Sequence, residues 1–175
     1  MEFKRRSVRL RKWNYSWGGY YFVTVCTKDR REMFGEIIEN KMILNEYGNI
    51  LTLWINRLEG KFGIKIDEWV VMPNHLHVVF CVGAHHDAPK KDRDNEYFRA
   101  IRESPLRSGN KRSLLSKILG YLKANVSKNV GKPIWQRNYY EHIIRDEEEH
   151  IKIKEYIRMN PEKWCRDMNN PVNYK

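Results

Sequence analysis

Apolar and polar positions along this chain switch between a period of two and a period near 3.6. Tyr20-Tyr21-Phe22-Val23-Thr24-Val25-Cys26-Thr27 is dense in aromatic and β-branched residues, which predicts a central strand. Met33 to Ile38 and Lys41 to Leu44 predict a short hairpin around Glu39-Asn40. Asn45 can cap a helix to about Leu58, with Ile50, Leu51, Leu53, Trp54, Ile55 and Leu58 on its apolar face and Gly60 as its stop. Ile64 to Met72 predicts a strand, Pro73-Asn74 a turn, and His75 to Val82 the partner strand. Ser113 can cap a helix over 113–129, striped by Leu115, Ile118, Leu119, Leu122 and Val126 and ended by Gly131 and Pro133. Tyr139 to Arg145 alternates as a strand. Asp146 then caps a last helix whose first turn carries Glu147, Glu148 and Glu149, which suits the positive end of the helix dipole. It runs to Met159 or Asn160, where Pro161 prevents continuation.

The order is β, hairpin, α, β, β, α, β, α. Its centre, β-α-β-β-α-β, is the ferredoxin-like pattern, so the expected class is α+β with an antiparallel sheet, an added N-terminal hairpin and an extra C-terminal helix. Residues 1–17 read as a basic arm containing Arg5, Arg6, Arg9, Arg11 and Lys12, either a solvated tail or a phosphate-contacting segment. One domain is expected over 18–165. Within it, 84–112 is polar and aperiodic, as in a variable loop, where His85 and His86 read as surface residues. Residues 166–175 read as a tail, lying over the site or disordered.

Charge narrows the range of partners. Lys plus Arg number 33 against 22 for Asp plus Glu, a formal net charge of +11. That excess favours polyanions, nucleic acid before an anionic membrane surface. Interleaved aromatics, 13% of the chain, suit unpaired bases that stack on rings while cations hold phosphates. Cys26, Cys81 and Cys165 are isolated and odd in number, which argues against a disulfide scaffold or a Cys-rich zinc module and for a reducing, cytoplasmic setting. No apolar run has the length of a membrane span, and no apolar core of a signal peptide follows the basic start.

The candidate chemistry begins with His75-Leu76-His77. On a strand both rings point to one face, while Leu76, Val78, Phe80 and Val82 point to the other. Two imidazoles on one face are a ready pair of metal ligands, although most such pairs are ordinary strand histidines. Tyr156 and Asn160, four apart, share a face of the last helix. Lys117 and Lys123 lie off the apolar stripe of their helix, on a solvated face or along a nucleic-acid groove. Trp135 and Arg137 can stack on or clamp a strand, with Trp135 equally suited to the core. Tyr139 and Tyr140 are rival hydroxyls without an amide four residues on.

Met72-Pro73-Asn74 before His75-Leu76-His77, then Trp135 to Asp146, then Tyr156-Ile157-Arg158-Met159-Asn160-Pro161 occur in a distinctive order. From about Trp13 to Asp167 the chain resembles the single-tyrosine HUH transposases, in their REP-associated tyrosine transposase branch, with 84–112 as the weakest stretch. The resemblance implies a ferredoxin-like nuclease core with the histidines on a central strand. It implies Tyr156 as nucleophile, Asn160 as third, amide ligand beside His75 and His77, and Mg²⁺ or Mn²⁺ as the ion. Its expected substrate is single-stranded DNA beside hairpins such as REP elements, cut through a 5′-phosphotyrosine, by a monomer or a homodimer. Two alternatives stay open from the residues: a basic nucleic-acid-binding domain without catalysis, and a replication-initiator or relaxase-type HUH nickase.

Overall fold

The computed structural model describes residues 19–82 and 113–173. Arg5, Arg6, Arg9, Arg11, Lys12 and the 84–112 stretch lie outside the described residues. Six strands run β1 Gly19–Cys26, β2 Gly35–Ile38, β3 Lys41–Leu44, β4 Lys65–Met72, β5 His75–Val82 and β6 Tyr140–Ile144. Four α-helices are described: α1 Glu46–Asn56, α2 Leu58–Phe62, α3 Leu114–Val130 and α4 Glu147–Arg158.

β1, β4, β5 and β6 form one sheet in the order β4-β5-β1-β6, antiparallel throughout, and β2 pairs with β3 as a separate hairpin. This is the ferredoxin-like arrangement. The two interior strands, β1 and β5, are also the most continuously apolar, since both their faces are covered. The helix caps follow the sequence: the side chains of Asn45, Ser113 and Asp146 accept from the backbone N–H groups of Gly48, Ser116 and Glu149. Gly60 does not stop the helical stretch; α2 runs through it to Phe62. Gly63 ends it, in the left-handed conformation at φ 61°, where a side chain would be strained. Gly48 is a glycine for a different reason. A Cβ there would sit 2.2 Å from the Phe34 carbonyl oxygen, so only glycine lets α1 seat against the chain entering the hairpin.

The pleat sorts residues to two faces. Tyr21, Val23 and Val25 of β1 and Leu76, Val78, Phe80 and Val82 of β5 meet Leu51 and Ile55 of α1, Leu58 of α2, and Leu115, Ile118, Leu119, Leu122 and Val126 of α3. On the opposite face Phe22, Val79 and Ile144 form a smaller cluster with Ile157 of α4. His75 and His77 share that second face with Phe22 and Thr24, because Cys26 pairs with His75 and Thr24 with His77 in the β1–β5 register.

Candidate active site

Each imidazole is held by its own partner. Asn74 donates its amide hydrogens to the carbonyls of Arg30 (2.9 Å) and Asn169 (2.7 Å), so its Oδ1 must face the other way, where it lies 2.8 Å from His75 Nδ1. An amide oxygen only accepts, so His75 carries its proton on Nδ1 and turns a lone pair outward at Nε2. His77 Nδ1 lies 2.8 Å from the Thr24 hydroxyl, which can donate or accept and therefore serves either tautomer. The two Nε2 atoms are 3.0 Å apart. Phe22 stacks on the His77 ring at 5.3 Å, and Trp164 lies 5.9 Å from that of His75.

Both histidines are buried. Burial pushes the His77 imidazole down to about 3, and burial together with the charges of His77 and Arg30 lowers His75 well below its ordinary value. The rings are thus neutral, the form that ligates a metal.

α4 brings the phenol to this pair. Ile157 is buried against the sheet, and Tyr156, 43% exposed, lies beside it with its hydroxyl 3.3 Å from His77 Nε2. Its pKa is raised by burial and by the Asp167 charge, with the Asn160 side chain pulling the other way. Asn160 is buried at the end of the same helical segment, and no hydrogen bond of ordinary geometry reaches its Oδ1. The sequence therefore named four residues that the fold brings to one place.

Sequence reasoning missed Asp167. Its side chain is buried, with Oδ2 3.7 Å from His75 Nε2, and one donor atom from each of His75, His77 and Asp167 falls within 4.8 Å of the others. Asp167 follows a short 3₁₀ turn at Trp164–Arg166, where no periodicity marks a face. Thr24 and Asn74 were also missed, because cross-strand register and tertiary hydrogen bonds leave no local signal. Two neutral imidazoles with an outward lone pair, a bare amide oxygen and a bare carboxylate oxygen are a donor set that fits a divalent cation.

A cavity of about 1110 Å³ opens over this site, lined in part by Phe22, Tyr140, Tyr156, Arg137, Lys163 and Arg166. A second, of about 690 Å³, shares Arg30, Gln136 and Arg137 with it and adds Lys28. Arg137 is thus a lining residue of both. Trp135 also lines the second cavity, and both it and Lys123 make internal contacts. The Lys123 ammonium donates to the carbonyls of Gln136 (2.5 Å) and Arg137 (3.3 Å), and Trp135 packs 5.3 Å from the Phe34 ring while its indole N–H donates to the Lys123 carbonyl. Lys117 lines neither cavity. Tyr139 hydrogen-bonds Ser116 at 3.2 Å, and His142 pairs with Glu149 at 2.7 Å.

No protein-family model matches the chain. A protein from Haemophilus influenzae (strain Rd), described as uncharacterized, is 38% identical over 169 residues, covering 93% of this chain and 91% of the relative. A second Haemophilus influenzae protein, provisionally named a REP-associated tyrosine transposase, is 26% identical over 150 residues, with 86% and 74% covered. The REP-associated tyrosine transposase of Escherichia coli (strain K12) is 23% identical over 159 residues, with 89% and 75% covered. These relatives place the chain in the transposase class. Within that class, the named relatives it resembles are REP-associated tyrosine transposases. A solved structure of such a transposase bound to a REP hairpin shares the fold, with a TM-score of 0.56 and 23% identity over 94% of this chain and 74% of that one. Among the described residues no helix is long and apolar enough to cross a membrane.

Proposed function

We propose that this chain is a metal-dependent single-stranded DNA endonuclease and strand transferase that acts beside DNA hairpins such as REP elements. The observation that carries the reading is the Tyr156 hydroxyl 3.3 Å from His77 Nε2, beside the paired His75 and His77 imidazoles. In this reading His75, His77 and Asn160 hold Mg²⁺ or Mn²⁺, which neutralises charge on the scissile phosphate.

Tyr156 Oη attacks phosphorus. The bond from phosphorus to the 3′ oxygen breaks, a 5′-phosphotyrosine forms, and the 3′ hydroxyl leaves carrying a proton. Attack by a 3′ hydroxyl on that linkage rejoins the strand and restores the phenol, so bond energy is kept rather than lost to water. Thr24 and Asn74 hold the imidazole rings, and Phe22 packs against both the His77 ring (5.3 Å) and the Tyr156 ring (6.1 Å), which also touch each other at 5.3 Å. The exposed ring of Tyr140 is placed to stack on an unpaired base, while Arg137, Lys163 and Arg166 offer charge to the backbone. Lys123 and Trp135 act on DNA indirectly, by fixing the backbone that presents Arg137. Lys117 adds a phosphate contact outside the cavity, and the basic residues Arg5, Arg6, Arg9, Arg11 and Lys12 add further phosphate contacts. Hairpin recognition is supported by the relative that was solved on a REP hairpin.

The test is a denaturing gel of protein incubated with Mn²⁺ and hairpin-bearing single-stranded DNA. A covalent adduct is expected from the native chain and none from Tyr156→Phe. An adduct that persists in the variant removes the assignment.

A further inference from the structure

We infer that Asp167 is a ligand of the same divalent cation as His75 and His77, delivered by the segment that follows α4. The inference rests on the reading that the histidine pair holds a metal, and it adds a charged oxygen to that site.

The Asp167 side chain is 4% exposed. Its Oδ1 accepts from the Asn169 backbone N–H at 2.6 Å, while Oδ2 has no hydrogen-bond partner among the described residues. A buried carboxylate oxygen with no partner is costly, so its position needs a compensating charge. His75 Nε2 is 3.7 Å from Oδ2, beyond hydrogen-bond length. Nor is that atom a donor, because the His75 proton sits on Nδ1 facing Asn74. A direct His75–Asp167 ion pair therefore leaves Oδ2 unsatisfied.

A cation accounts for both the gap and the bare oxygen. Donors about 2.1 Å from one ion lie about 3 Å apart at right angles and about 4 Å apart across it. The separations of 3.0 Å between the two Nε2 atoms and 3.7 Å from His75 Nε2 to Asp167 Oδ2 fall in that range. A carboxylate is also the harder, negatively charged donor that Mg²⁺ and Mn²⁺ favour, which an amide alone is not.

The segment that carries Asp167 is built to hold it there. Asn173 donates to the Asp167 carbonyl at 2.8 Å and to that of Cys165 at 3.0 Å, and Asn170 donates to the Trp164 carbonyl at 3.0 Å. Arg30 donates to the Met168 carbonyl and to Asn169 Oδ1, both at 2.9 Å. Asn74 ties this segment to the histidine strand, since one amide orients His75 and grips the Asn169 carbonyl. Asn160, by comparison, stands beside the Tyr156 phenol on the same helical segment.

The test is calorimetric titration of the full chain with Mn²⁺, without DNA. Asp167→Asn, which keeps the shape, is expected to weaken Mn²⁺ binding at least by the ten- to hundredfold that loss of a supporting group costs. His75→Ala is expected to abolish it. Asp167→Asn binding as tightly as the native chain while His75→Ala fails would overturn this inference and leave the histidine site standing. Absence of Mn²⁺ binding by the native chain sinks both. Should the variant not fold, a Mn²⁺-soaked crystal of the native chain decides. The inference requires an Asp167 oxygen in the ion's coordination sphere, and an ion held by His75 and His77 without it refutes the claim.

Discussion

On one face of the four-stranded sheet, twenty buried apolar side chains interlock beneath α1, α2 and α3; on the other, four, Ile157 of α4 among them, sit beside two imidazoles, a phenol and a carboxylate. The first face is held by apolar area, which is non-directional. The second is held largely by directed polar contacts. Asp67 of β4 meets His150 at 2.7 Å and Lys154 at 3.0 Å, and Glu68 meets Arg158 at 2.7 Å, all across to α4. Partly exposed ion pairs contribute only about 0–1 kcal/mol each. The sheet therefore has a face that keeps the fold and a face that tolerates polar groups without apolar cover, which ligation and nucleophilic chemistry require.

The comparison is tested most severely on the apolar face. Phe80→Ala should cost about 3–5 kcal/mol, read as a lowered urea midpoint, because Phe80 is fully buried among the larger cluster. A cost under about 1 kcal/mol would show that this face is not the structural one. Asp146→Ala removes the cap of α4 and should cost about 1 kcal/mol. Its effect should concentrate in α4, as faster hydrogen exchange there and unchanged exchange in α3.

The pH dependence of α4 docking comes next. Burial raises the Asp67 carboxyl, but hydrogen bonds and charge from His150 and Lys154 outweigh it and lower it from 3.8 to about 2. A carboxylate depressed in the folded state stabilises fully above 3.8, and that contribution is lost as pH falls from 3.8 towards 2. Asp67→Asn should flatten that part of the stability profile, measured by urea midpoints at each pH, and an unchanged slope would remove Asp67 from the fastening. The smallest expected stability change is that of Tyr156→Phe, within about 0.5 kcal/mol, since the residue is exposed and the ring stays. The same substitution is expected to erase the DNA adduct, which separates function from stability on one residue.

What could be read from the chain follows the same division. Alternation is local, so His75-Leu76-His77 declared two faces of a strand before any partner strand was known, and Leu76, Val78, Phe80 and Val82 do lie in the larger cluster. Asn45, Ser113 and Asp146 announced their helices because a cap bonds only three residues on. Gly60 misled because a glycine is tolerated inside a helix; only Gly63 takes the left-handed conformation. Lys123 and Trp135 carry no local mark of whether they face a ligand or brace the backbone, because a lysine off an apolar stripe reads the same in either role. Asp167 was invisible for a deeper reason. Its role depends on a non-periodic stretch folding back about ninety residues onto β5, and no local pattern encodes that return.

Asn74 joins three stretches distant in sequence, bonding the Arg30 carbonyl, the His75 ring and the Asn169 carbonyl at once. A nascent polypeptide still on the ribosome carries both imidazoles long before it carries the phenol or Asp167. Such a partial product holds the histidine pair without the phenol and carboxylate that the folded chain gathers around it.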